Sequence, residues 1–179
     1  MIFGFGKTER VASEEFGSGL WMFCGKFSKG FYEQFKPQIE NAGFHLFENQ
    51  EIELSREIAI INLWIISKVL ARDQKVLDVL HRIFISGHRN LAESEQEKTT
   101  MARLAQENLN NRFKDYYDNW RDGSENQTLL SICMLEYMIN KGRPDQRLTN
   151  ALLTAALNAH ILFMMKSVLD FRKGFKISD

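Results

Sequence analysis

The stretch FGSGLWMFCGKFSKGFYEQF, residues 16–35, places Phe16, Leu20, Phe23, Phe27, Phe31 and Phe35 at intervals of four, three, four, four and four. That period puts all six on one face of a helix. Trp21 and Tyr32 fall on a second face, and Lys26, Lys29 and Glu33 share the solvent side. Gly19, Gly25 and Gly30 work against this helix. Each costs a helix interior about 1 kcal/mol relative to Ala, so roughly 3 kcal/mol must be offset by packing against something else. The segment is therefore helical only in company. Pro37 predicts its end, or a kink.

Working outward, a composition break lies near residue 47. Nine of the 14 Phe and seven of the 11 Gly fall within residues 1–47. We read 1–47 as a Phe/Gly-rich segment carrying one amphipathic helix, and 48–179 as the helical bundle it packs on. Asn49 predicts an N-cap for a second helix, with Glu51 and Glu53 in its positive first turn and Ile58, Ile61, Leu63, Ile65 and Val69 following to about Arg72. Asp73 opens a third, carrying Val76, Leu77, Leu80, Ile83 and Phe84, with Gly87 as its left-handed stop. Ser94 and Glu97 form the S-x-x-E capping box of a fourth, whose stripe is Met101, Leu104, Leu109, Phe113, Tyr116 and Trp120. Gly123 ends it. A fifth runs from about Asn126 to Lys141 and stops at Gly142, and Pro144 and Asp145 open a sixth that ends at Lys173 and Gly174. No segment alternates with period two for long enough to predict a strand. The expectation is all-α: about six helices in one domain, as an up-and-down bundle or an orthogonal array. The second, fifth and sixth should sit at its centre, with the first and fourth covering them.

The totals narrow the function classes. Formal net charge is zero, so no global field recruits nucleic acid or an anionic membrane. Two cysteines, Cys24 and Cys133, make no disulfide framework, which points to a reducing, cytoplasmic setting. Glu9, Glu14 and Glu15 fall where a signal peptide needs an apolar core. The apolar runs Ile58–Ala71 and Ala151–Met165 are shorter than the roughly 20 residues of a membrane span and carry Asn62, Ser67, Lys68, Asn158 and His160, so both read as core helices.

Local chemistry is sparse. Gly4-Phe5-Gly6-Lys7-Thr8 imitates the end of a phosphate-binding loop, but that motif needs a Gly five residues before Gly6, where Met1 stands; a flexible tail is the preferred reading. No E-x-x-H, H-E-x-x-H or C-x-x-C occurs, so neither a di-iron nor a zinc site is expected. His81 and His88 read as surface residues beside Arg82 and Arg89. His160 stands in the apolar middle of the last helix with Met164 one turn on, and the fifth helix offers Cys133, Met134 and Met138. Such residues are the weak candidates for a soft-metal or haem site. The simpler reading is a core in which Met fills gaps and His160 makes one hydrogen bond, to Glu136 or Asn158. Glu136 itself, in a nearly all-apolar helix, is either a buried acid with a raised pKa or a carboxylate at the bundle edge near Lys68, Arg72 or Lys166. Arg172-Lys173-Gly174-Phe175-Lys176 is a small basic and aromatic tail. No catalytic, metal or cofactor site is expected.

That leaves the Phe face. It is a core helix folded onto the bundle, an interaction helix that packs on another copy or a partner, or a peripheral membrane helix. Gly19 and Gly30 border it and would let another backbone come close. The function expected is a soluble, non-enzymatic protein acting through protein contacts, including self-association, with Trp21, Phe23, Phe27, Phe31 and Phe35 as the contact residues. The alternative is a module that holds an apolar ligand between its central helices.

Overall fold

Six helices carry the chain in the computed structural model, which describes residues 9–44, 46, 48–124, 127–139 and 147–178. They are α1 (Ser13–Asn41), α2 (Glu48–Val69), α3 (Gln74–Arg89), α4 (Glu95–Asn119), α5 (Thr128–Met138) and α6 (Arg147–Lys173). The protein is all-α, and its buried side chains form one core to which α1 contributes Phe16, Leu20, Phe35 and Ile39. The expected openings at Asn126, Pro144 and Asp145, the stop at Gly142, the phosphate-loop imitation at residues 4–8, and His45 lie outside the described residues.

The centre is α2. Ile58, Ile60, Ile61, Leu63, Trp64, Ile65 and Ile66 are all buried, so this helix is enclosed almost all round. The expectation that α5 and α6 share that position is corrected. Leu129, Ile132 and Glu136 of α5 and Leu152, Phe163 and Leu169 of α6 are exposed, so both helices bury one side only.

Helix ends follow local chemistry in some places and packing in others. The capping box of α4 is formed: Glu97 N–H donates to Ser94 Oγ (3.2 Å) and Ser94 N–H to Glu97 Oε2 (3.1 Å). Gly123 takes the left-handed conformation (φ 72°) in the turn after α4. Gly87, in contrast, lies inside α3, which continues to Arg89 and is closed by Asn90 N–H on the Ser86 carbonyl (3.0 Å). Pro37 ends nothing: α1 runs through it to Asn41. Phe35 and Ile39, both fully buried, hold the chain on the core on either side of the proline. Lys36 and Tyr32 also bind Glu51 of α2, at 2.7 and 2.8 Å. Together these contacts outweigh the one helix bond that proline cannot donate.

Two short strands were not expected. β1 (Glu9–Val11) pairs in parallel with β2 (Phe175–Ile177), Glu9 opposite Phe175 and Val11 opposite Ile177. Three residues are too few to display alternation, so pattern reading passes over them. Side chains hold the pairing. Phe175 packs on Phe16 and Phe171 at 5.5 and 5.1 Å between ring centres. Arg172 donates to the Phe175 carbonyl (2.7 Å) and to both oxygens of Asp73 (3.2 and 3.4 Å). Asp73 thus serves as an anchor for the end of α6 and makes no side-chain cap of α3. The basic tail is likewise engaged in structure: Lys173 pairs with Asp170 (2.8 Å).

Candidate functional site

Where α1 and α6 meet, ring stacks descend in antiparallel order. Phe23 lies on Phe171 (4.7 Å), Phe27 on Phe163 (5.6 Å), and Phe31 on His160 (3.8 Å, rings 17° from parallel). Along this seam lies an open groove of about 520 Å³. Its walls are Phe27, Phe31, Phe163, Ala156 and Ala159, and Lys26, Gln34 and Gln38 also line it. Gly30 lines the α1 side, and a Cβ built there would meet nothing within 4 Å.

His160, 8% exposed, is the one titratable group among the lining residues that is buried. Its Nε2 donates to Asn62 Oδ1 of α2 (2.8 Å), and Asn62 Nδ2 donates to Ser28 Oγ of α1 (2.7 Å). One polar chain therefore joins α6, α2 and α1 behind the groove. Burial pushes the imidazole down to about 4, so the ring is neutral at physiological pH. Neither hydrogen-bond partner expected for His160 is used. Asn158 accepts from the Gln127 N–H (2.8 Å), and Glu136 is exposed on the outer side of α5. Lys68 pairs instead with Asp122 (3.0 Å) beneath the Trp120 ring. Met134, Met138 and Met164 are buried packing residues. Among the described residues no three His, Cys, Asp or Glu side chains cluster as a metal site.

The five aromatic residues expected to make contacts divide. Phe35 is fully buried, stacked under Phe31 (4.8 Å). Trp21 is half-buried against Phe84 of α3 (6.3 Å). Phe23, Phe27 and Phe31 are half-buried against the core, with Phe27 and Phe31 in the groove wall. No other helix of this chain packs on Gly19 or Gly30: a Cβ added at either would meet nothing within 4 Å. The close approach is at Gly17, where an added Cβ would lie 2.7 Å from Val79 Cγ1 of α3.

A second polar centre sits between α2, α4 and α5. Glu57, 2% exposed, receives two hydrogen bonds from Arg112, at 2.9 and 3.1 Å. The guanidinium lies 3.7 Å from the centre of the Tyr137 ring, and the Tyr137 hydroxyl donates to Asp115. That bond, with burial, raises the tyrosine to about 12. Tyr116 beside it is fully buried with its hydroxyl unpaired. Pairing pins α4 to α2, and a fork-shaped cation on a carboxylate is the geometry that tolerates burial. Burial pushes Cys24 up to about 12, and burial with the Asp115 carboxylate pushes Cys133 up to about 11. Both thiols stay protonated at neutral pH, which is opposite to an activated nucleophile. His81 also departs from the surface reading: it is half-buried with its ring edge-on to Phe113 of α4 (5.7 Å), and burial lowers its pKa.

Sequence reading missed Asn62, Ser28, Glu57 and Arg112. For Asn62 a signal existed, because an amide inside the run Ile58–Ile66 must find a partner if that run is a core helix. Glu57 and Arg112 stand 55 positions apart and gave none. No protein family, curated protein or solved structure matches this chain.

Proposed function

We propose that this chain is a soluble, cytoplasmic, non-enzymatic helical protein that acts through protein contacts, and that the outer face of α6 is the surface it uses, first of all with a second copy of itself. One observation carries the reading. Within the 23 residues Ala151–Lys173 an 18-residue stretch is apolar enough to cross a membrane (mean hydropathy 1.5), yet only 39% of that stretch is buried in the fold. A helix this apolar with an open side is unusual for a water-facing surface.

The open side has an order. Leu152 (73% exposed), Ala155, Ala159 and Phe163 (55% exposed) follow one another at three, four and four residues. Large, small, small, large is a sequence that can meet itself. An antiparallel second α6, turned about a twofold axis near Leu157, sets Leu152 against Phe163 and Ala155 against Ala159. Such a contact is isologous and closes at two copies. Use of the segment as a membrane span is less well supported, because its other side supplies Leu153, Leu157, Ile161, Met164 and Val168 to the core.

Sedimentation velocity of the full chain, beside Ala155→Glu and Leu152→Glu, tests the reading. The native chain is expected as a dimer at micromolar concentration and both variants as monomers with unchanged helical content. A native monomer at 100 µM or above, or a dimer that both charges leave intact, overturns it.

A further inference from the structure

The hydrogen-bond chain behind the α1/α6 groove decides what the groove can hold. Asn62 spends its N–H on Ser28 Oγ, so the atom it turns to His160 is its carbonyl oxygen. With the amide in this orientation its oxygen accepts, and the ring proton of His160 sits on Nε2. The neutral imidazole then carries a bare lone pair on Nδ1. No described group donates to that nitrogen, and the ring, more than nine-tenths buried, lines an apolar cavity. Nδ1 is not among the side-chain nitrogens and oxygens buried without a partner, so it is open to solvent on the groove side, where a ligand's donor can replace water.

We infer that the α1/α6 groove binds a small, uncharged, largely apolar molecule bearing one hydroxyl donor, an alcohol or a phenol, whose O–H is accepted by Nδ1 of His160. The volume of about 520 Å³ lies in the range of small-molecule sites. Phe27, Phe31 and Phe163 supply faces for a ring system, and Ala156, Ala159 and Gly30 supply the space. A carbonyl or ether in place of the hydroxyl would set acceptor against acceptor. A carboxylate would do the same, since the only cationic side chain lining the groove is Lys26, at the exposed lip. Among the described residues no three His, Cys, Asp or Glu side chains gather here to hold a metal ion. The groove shares Ala159 and Phe163 with the pairing face of α6 but not Leu152 or Ala155, so a second copy and a ligand compete for it and binding is read in the unpaired Ala155→Glu chain as well as in the native one.

Isothermal titration of the full chain with 2-naphthol, 2-methoxynaphthalene and 2-acetonaphthone tests it. The naphthol is expected to bind one to one and at least tenfold more tightly than the ether or the ketone. Gly30→Leu, which projects into open space and leaves the core untouched, should abolish binding of all three. His160→Gln should remove the preference for the hydroxyl. The monomeric Ala155→Glu chain should bind at least as well as the native chain, because pairing covers Ala159 and Phe163; loss of binding in this variant would count against the inference. Equal affinity for the three probes, preference for the ketone, absence of saturable binding, or indifference to Gly30→Leu each overturns the inference.

Discussion

Helices α1 and α6 are of similar length, lie side by side and both carry more apolar surface than one core requires, yet their excess is disposed of oppositely. The face of α1 is consumed inside the molecule. Phe16, Leu20 and Phe35 are buried, and Phe23, Phe27 and Phe31 stack on rings of α6. The excess of α6 is left outside, with Leu152, Phe163 and Leu169 exposed. Periodicity announces that a face is apolar. It does not say what covers that face, because the covering helix can come from anywhere in the chain.

Side-chain truncation separates the two helices most. Phe35→Ala on α1 is expected to cost about 3–5 kcal/mol, the usual range for emptying a buried aromatic site. Leu152→Ala on α6 should change the stability of the monomer by less than about 0.5 kcal/mol. Urea unfolding of both variants in the Ala155→Glu background, where pairing is removed, measures the two on one scale. Comparable losses would mean that α6 is as enclosed as α1.

The same contrast shows how much was legible in the chain. All six helices were readable because amphipathic stripes and one capping box are local signals. The central place of α2 was readable too, since it is apolar on every side. Gly87 and Pro37 misled because burial of Phe84 and of Phe35 and Ile39 prolongs helices past residues that propensity alone would make stops. The groove could not be read at all. It requires Phe31, Asn62 and His160 at one point, and no spacing rule links positions 31, 62 and 160. Phe31 stands out from its place in the Phe stripe and His160 from its polar character in an apolar helix, but nothing local links the two, and the hydrogen-bond partner of His160 lies on α2 and not nearby in sequence.

The seam between the two helices is also where pH should act. His160 has an ordinary pKa near 6.5 unfolded and about 4 in the fold. Between those values the unfolded chain binds a proton that the native chain does not, so stability declines as pH falls through this window and is complete above it. The slope approaches about 1.4 kcal/mol per pH unit, and the loss is about 3 kcal/mol by pH 4. His81, also lowered by burial, acts in the same direction. The useful quantity is therefore the difference between the native chain and His160→Gln, whose amide can still donate to Asn62. That difference should shrink by about 3 kcal/mol from pH 6.5 to 4. Parallel stability curves for the two chains would show that His160 is solvated, and α6 would then be less firmly seated on α1 than the ring stack implies.

The smallest effects separate the glycines of α1, and here the sign is informative. Gly17 faces α3, and a methyl group there would stand 2.7 Å from Val79 Cγ1 and 2.9 Å from Val79 Cβ. Gly17→Ala gains helix propensity of about 1 kcal/mol but incurs overpacking of about 1–3 kcal/mol, so a net loss of about 1 kcal/mol is expected. Gly25 meets nothing within 4 Å. Gly25→Ala should therefore stabilise the chain by about 0.5–1 kcal/mol, the entropic penalty that glycine carries in a helix. Val79→Ala in the Gly17→Ala background relieves the overlap, so the double variant should be more stable than the two single losses predict when added. Additive losses would place α1 farther from α3 than the structure does. A destabilising Gly25→Ala would instead reveal a partner helix on the solvent side of α1, and the interaction surface would then belong to α1 and not to α6.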